Sequence, residues 1–278
     1  MTESSPLAGR CVGITADRRW RNQADLLENL GANVIHGPTM RTVDLSRDEA
    51  LRQATQALID RPPDFLVGTT GMGMTMWFEA AGEWNLGDPL RESLRHSRVV
   101  ARGAKARSAL RRLGFEVAWQ APSENMEEIV EFLTEQGIGS ARVALQLFDP
   151  GGHPSTAALS ARCRELVEVP VYRWLLPEDA GPAARLIEAM CAGEVDAVTF
   201  TSQPAVHHMF HIAESLGRSD ELRAACNGPV LPVCVGPVCA EAAREEGISE
   251  PVWPDPPRLG AMIQLVTLQL AGGRDRRD

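Results

Sequence analysis

Residues 63–78, PDFLVGTTGMGMTMWF, align without a gap on residues 195–210, VDAVTFTSQPAVHHMF. Asp64 falls on Asp196, Thr69-Thr70 on Thr201-Ser202 and Phe78 on Phe210, an offset of 132 from 64 to 196. The same offset lays GRCVGITAD over the VALQLFD region, matching Arg10 with Arg142 and Asp17 with Asp149. It also sets Pro38 on Pro170 and Arg41 on Arg173. With one residue of slippage, residues 99–114 fall on residues 232–247, so Gly103 meets Gly236 and Gly114 meets Gly247. Trp119 and Trp253 close the two copies. Matches in one order at nearly one offset describe a duplicated unit, and a duplication obliges both copies to fold alike.

Each copy reads as alternating strands and helices. An apolar run of strand length comes first (CVGIT; VALQLF). An amphipathic helix follows in the first copy, with Leu26, Leu27 and Leu30 at helical spacing and Gly31 near its end. A second strand (ANVIHGP; ELVEVPVY), a helix and the strand ending in hydroxyls come next. Then follow a helix, a short strand before Gly103 or Gly236, a helix closed by Gly114 or Gly247, and a last strand toward Trp119 or Trp253. Such alternation predicts an α/β fold with two Rossmann-like, flavodoxin-like parallel-sheet lobes, each sheet covered on both faces.

The chain's 278 residues, 44% hydrophobic, are enough for two modest cores. The net charge of −9 argues against nucleic-acid binding by this portion. Lys105 is the single lysine, so nearly every cation is an arginine fork suited to carboxylate or phosphate. The N-terminus MTESSPLAGR has no apolar core of signal-peptide length and no later apolar run reaches membrane-spanning length, which predicts a cytoplasmic protein. Cys11, Cys163, Cys191, Cys226, Cys234 and Cys239 include no CxxC pair and read as small buried hydrophobes.

In parallel sheets, ligands sit where strands end and helices begin. Thr69, Thr70 and Gly71 in one copy, and Thr201, Ser202 and Gln203 in the other, present hydroxyls and helix-start amides at such a place. Two readings are open: the hydroxyls cap their helices, or they hold an anionic ligand. His207 and His211 stand i, i+4 on a helix, but no acidic or cysteine partner has a telling spacing, so no metal is expected. GMGMTM, residues 71–76, is an incomplete dinucleotide loop without the acidic residue that should follow, so no nicotinamide cofactor is expected.

DAVTFTSQPAV, VCVGPVCAEAA with the following Gly247, and VPVYRW together resemble the uroporphyrinogen-III synthase family. The likeness runs from about residue 9 to 270, and ARGAKARSALRRLG, VALQLFD and PVYRW look most like its actinobacterial branch. The resemblance implies two lobes joined by two connectors with a cleft between them. One lobe would be 1–40 plus 174–278 and the other 42–173, with connectors at 37–43 and 169–175. Some members of that branch carry a C-terminal DNA-binding domain. The polar GGRDRRD tail reads as the start of a linker to such a domain, missing from this chain.

The resemblance also implies a reaction: hydroxymethylbilane, a linear tetrapyrrole, is closed into a macrocycle while its last ring inverts and water leaves. No cofactor is needed, because the substrate supplies its own reactivity and the protein folds it and shelters cationic intermediates. Each pyrrole ring carries an acetate and a propionate, so local cations and amides must bind them. Arg18 after the first strand, and Arg102 and Lys105 around Gly103, are the candidates. Gly236 and Pro237 open the matching turn, where the family often has Thr and this chain has Cys239, a poorer hydrogen-bond donor. Tyr172, the only tyrosine, lies in the second connector, where the family places a tyrosine facing the cleft. It is the candidate general acid for the departing hydroxyl. A second reading stays open: a non-catalytic tetrapyrrole-sensing module of a transcriptional regulator.

Overall fold

The computed structural model describes residues 5–147 and 154–272. Asp149, matched above with Asp17, and residues 273–278 of the polar tail lie outside the described residues.

In chain order come β1 (Cys11–Ile14), α1 (Trp20–Glu28), β2 (Asn33–His36), β3 (Arg41–Asp44), α2 (Glu49–Asp60), β4 (Phe65–Gly68) and α3 (Gly71–Glu83). Next are α4 (Gly87–Leu94), β5 (Arg98–Ala101), α5 (Ala104–Arg112), β6 (Val117–Gln120), α6 (Met126–Glu135), β7 (Arg142–Gln146), α7 (Pro154–Ser160), β8 (Glu165–Val169) and β9 (Tyr172–Leu175). The chain continues through α8 (Gly181–Cys191), β10 (Ala197–Phe200), α9 (Gln203–Ser215), α10 (Ser219–Cys226), β11 (Leu231–Cys234), α11 (Pro237–Glu245) and α12 (Leu259–Ala271).

The strands form two parallel sheets, ordered β11-β10-β1-β2 and β6-β5-β4-β7-β8. In both, the strand ending in hydroxyls (β4, β10) pairs with the opening strand of the other sequence copy: Val12 with Ala197, and Val143 with Phe65. The chain divides into two compact units, Met1–Thr42 with Trp174–Asp278, and Val43–Arg173. It passes between them in β3 and β9, strands that form a two-stranded sheet.

Central strands β7 and β10 are buried along their whole length, as strands covered on both faces must be. In the unit built on β10, one face packs Leu186, Phe200, Met209 and Ala240. The other packs Val12, Ile14, Leu27, Met262 and Val266. The duplication extends to backbone handedness. Asn85 and Gly217, again 132 apart, take φ 58° and 68°, and Gly114 and Gly247 take 92° and 85°.

Three details differ from the sequence reading. Where one helix was expected between β4 and β5, the left-handed Asn85 splits it into α3 and α4; the left-handed Gly217 likewise splits the second copy's helix into α9 and α10. Leu26 is exposed, and α1 buries Gln23, Ala24 and Leu27 instead. The last strand of the second copy shrinks to one parallel bridge, Val233 with Val252. Pro251 and Pro254 flank that bridge, and proline has no N–H for a ladder.

Candidate functional site

In the Val43–Arg173 unit, β4 and β5 end side by side, with Gly68 paired to Ala101. The next residues, Thr69 and Arg102, therefore stand abreast, and Arg102 N–H donates to the Gly68 carbonyl at 2.9 Å. Helices α3 and α5 start just beyond. Gly71 lets them converge, since a Cβ there would lie 2.5 Å from the Lys105 carbonyl oxygen. Thr69, Thr70, Gly71, Arg102, Gly103 and Lys105 thus gather at one rim of the sheet.

The Thr69-Thr70 turn is pinned by a residue that sequence reasoning missed. Gln146 ends β7 with no exposed surface. Its Oε1 accepts from Thr70 N–H at 2.9 Å and Thr69 N–H at 3.2 Å, while the Thr69 hydroxyl donates to the Gln146 carbonyl at 2.7 Å. Two amide donors face one atom, which fixes that atom as the oxygen. Its Nε2 donates to the Leu147 carbonyl. A signal did exist: Gln146 is the lone polar residue in the apolar run Val143–Leu147 and stands where the first copy has Ile14. A polar group placed in a buried strand must find partners.

Thr70 caps α3, its hydroxyl accepting from Gly73 N–H at 3.1 Å. The same oxygen accepts from the Tyr172 hydroxyl at 3.1 Å. Tyr172 itself is fully buried, so the half-buried Thr70 is the outward member of this pair. Arg102 is half-buried, and the ionisable groups whose fields reach it are Tyr172, Glu124 and Glu127. Desolvation pulls its guanidinium pKa below the usual arginine value, and those three groups oppose the fall. The Ser155 hydroxyl holds Glu127 at 2.7 Å. Glu124, in the left-handed region at φ 59°, places a carboxylate oxygen 2.9 Å from Ala104 N–H and so caps α5.

In the other unit, Arg18 follows β1 on the surface. Thr201, Ser202 and Gln203 are half-buried at the end of β10. Here the two copies part. The Ser202 hydroxyl turns to Met40 Sδ at 3.3 Å, and α9 starts without a side-chain cap. Helix α11 likewise starts at Gly236 and the exposed Pro237 without one. The Cys239 thiol points inward, donating to the Phe200 carbonyl at 3.6 Å. His207 is held between Glu246 at 2.7 Å and Glu245 at 3.5 Å, bridging α9 to α11. Among the described residues, no group of three or more His, Cys, Asp or Glu side chains is placed to hold a metal ion. No helix among them is long and apolar enough to cross a membrane.

Residues 22–264 match the family model described as uroporphyrinogen-III synthase HemD. A crystal structure of a mutant uroporphyrinogen III synthase from the extremely thermophilic bacterium Thermus thermophilus is similar at TM-score 0.78 and 29% identity, covering 94% of this chain and 99% of that one. A wild-type form of that synthase gives TM-score 0.66 and 28% identity, covering 95% and 99%. The uncharacterized protein YjjA of Bacillus subtilis (strain 168) is 26% identical over 257 residues, 92% of this chain and 94% of its own. The chain belongs to the uroporphyrinogen-III synthase family.

Proposed function

We propose that the protein is a working uroporphyrinogen-III synthase. It closes hydroxymethylbilane into a macrocycle, inverts the last pyrrole ring and releases water. In each unit the substrate is met where strands end and helices begin. Arg18, Arg102, Lys105 and the helix-start amides after Thr70, Ser202 and Gly236 bind its carboxylates.

The observation that carries the reading is the Tyr172–Thr70 hydrogen bond at a strand-end turn, in a chain of this family. In the first step the Thr70 hydroxyl passes its proton to the terminal hydroxyl of the substrate and takes the Tyr172 proton in exchange. The carbon–oxygen bond breaks, its electron pair leaves with the oxygen as water, and a cationic pyrrole and a phenolate remain. Ring closure through a spiro intermediate follows from the substrate's own reactivity, with water kept out.

A sensing module that binds tetrapyrrole without turnover is the second reading. It is favoured by Cys239, whose thiol faces Phe200 where the family often offers a threonine hydroxyl. One assay separates them. The protein is supplied with hydroxymethylbilane by its synthase, the products are oxidised, and isomers I and III are resolved. Isomer III above the uncatalysed background supports the synthase. Isomer I alone, with tryptophan quenching on tetrapyrrole addition, supports the sensor.

A further inference from the structure

Tyr172 poses a physical difficulty. A fully buried phenol resists ionisation, because burial penalises the charged form. A proton donor must nevertheless become an anion for an instant. The strand register supplies the remedy: Arg102 stands abreast of Thr69, one residue before the Thr70 hydroxyl that accepts from Tyr172.

We propose that Arg102 is a positioning residue for Tyr172, its guanidinium stabilising the phenolate left when the proton passes out through Thr70. This rests on the synthase reading for its purpose, but not for its test. The groups facing Arg102 fit the role. Tyr172, Glu124 and Glu127 all act on it, and the two carboxylates are already engaged, Glu124 by the Ala104 amide and Glu127 by the Ser155 hydroxyl. The geometry is the register itself: Gly68 pairs with Ala101, so Arg102 leaves β5 at the same turn whose Thr70 hydroxyl accepts from Tyr172. Arginine suits this better than lysine, since it stays charged when partly desolvated and donates along several directions.

Because Tyr172 is the only tyrosine, the ultraviolet absorbance of tyrosinate reports on it alone, with Tyr172→Phe as the blank. In the native full-length chain, tyrosinate is expected to form reversibly at a pH below alkaline unfolding, followed in parallel by circular dichroism. In Arg102→Gln the midpoint should rise by on the order of one pH unit, the usual effect of losing an adjacent opposite charge. Arg102→Lys should restore much of the native midpoint. Tyrosinate that forms in the native protein only as the chain unfolds would overturn the proposal, as would equal midpoints in native and Arg102→Gln proteins. The native titration decides even if Arg102→Gln does not fold. No substrate is used, so this outcome is separate from the isomer assay that tests the synthase itself.

Discussion

Arg10 Nη1 donates to Asp196 Oδ1 at 2.9 Å across 186 positions of sequence, and the neighbouring Cys11 N–H donates to Asp196 Oδ2 at 2.8 Å. In the other sheet, Asp64 accepts from Arg142 N–H at 2.7 Å. Asp64 and Asp196 are repeat partners, as are Arg10 and Arg142. Each aspartate thus anchors, within one unit, the opening strand that the other sequence copy contributes.

Asp196→Ala should therefore destabilise the unit built on β10 by about 1–3 kcal/mol, the cost of leaving half-buried donors without their charged acceptor. Asp64→Ala should act on β4 and β7 instead. Amide hydrogen exchange reads each: Asp196→Ala should speed exchange in β1 and β10 while β4 and β7 hold, and Asp64→Ala should show the reverse. Equal loosening of both sheets by either variant would mean that the aspartates do not serve separate units.

The repeat carried the α/β alternation, both parallel sheets and the place of the hydroxyl-ended strands, because a periodic apolar pattern reports burial directly. It could not carry Gln146 or Glu124. Those side chains act through partners 76 and 20 positions away, and no spacing rule encodes such a distance. Nor could it show that Thr70 caps its helix while Ser202 turns to Met40. The two hydroxyls look alike in sequence, and the difference lies in what the opposite copy offers, Gln146 in one sheet and Ile14 in the other.

Replacing Gln146 with Met keeps the volume and removes the acceptor for the Thr69 and Thr70 amides. A stability loss of about 2 kcal/mol is expected in urea denaturation, since one buried and one half-buried donor go unsatisfied. Turnover should fall further than the loss of folded protein accounts for. Activity that tracks the folded fraction would show that the turn needs no brace.

Gly71→Ala should cost about 1–3 kcal/mol and also lower activity. The new methyl would press on the Lys105 backbone carbonyl, which cannot rotate aside as a side chain could. The thermal midpoint checks the first effect, and an unchanged midpoint would mean that α3 and α5 have room to separate.

Thiols give the pH dependence. Burial pushes Cys226 from the ordinary thiol value of 9.0 up to about 12. The hydrogen bond with Cys239, then burial, push Cys234 up as well. A thiol whose pKa is raised by folding keeps the folded state's proton longer than the unfolded state's. Its contribution to stability is whole below pH 9.0 and is lost as pH climbs toward about 12. The urea midpoint should therefore fall across that range, and Cys226→Val should flatten the fall. Thiol reagents at neutral pH should leave Cys226, Cys234 and Cys239 unlabelled until denaturant is added, since all three are buried.

Tyr172→Phe should lower turnover roughly ten-fold or more with little change in KM, because positioned proton transfer is worth ~10²–10⁴. Thr70→Val should do the same if the proton leaves through that hydroxyl. Full turnover in Tyr172→Phe would remove the phenol from the mechanism.

The most direct measurement is amide hydrogen exchange of the full chain with and without uroporphyrin III as a stable tetrapyrrole. Protection is expected at the strand-end turns of both units, at residues 69–75 and 102–107 and at 201–206 and 236–241. Protection absent from these turns, or centred on the His207–Glu246 face, would contradict the proposal that the strand-end turns bind the tetrapyrrole's carboxylates.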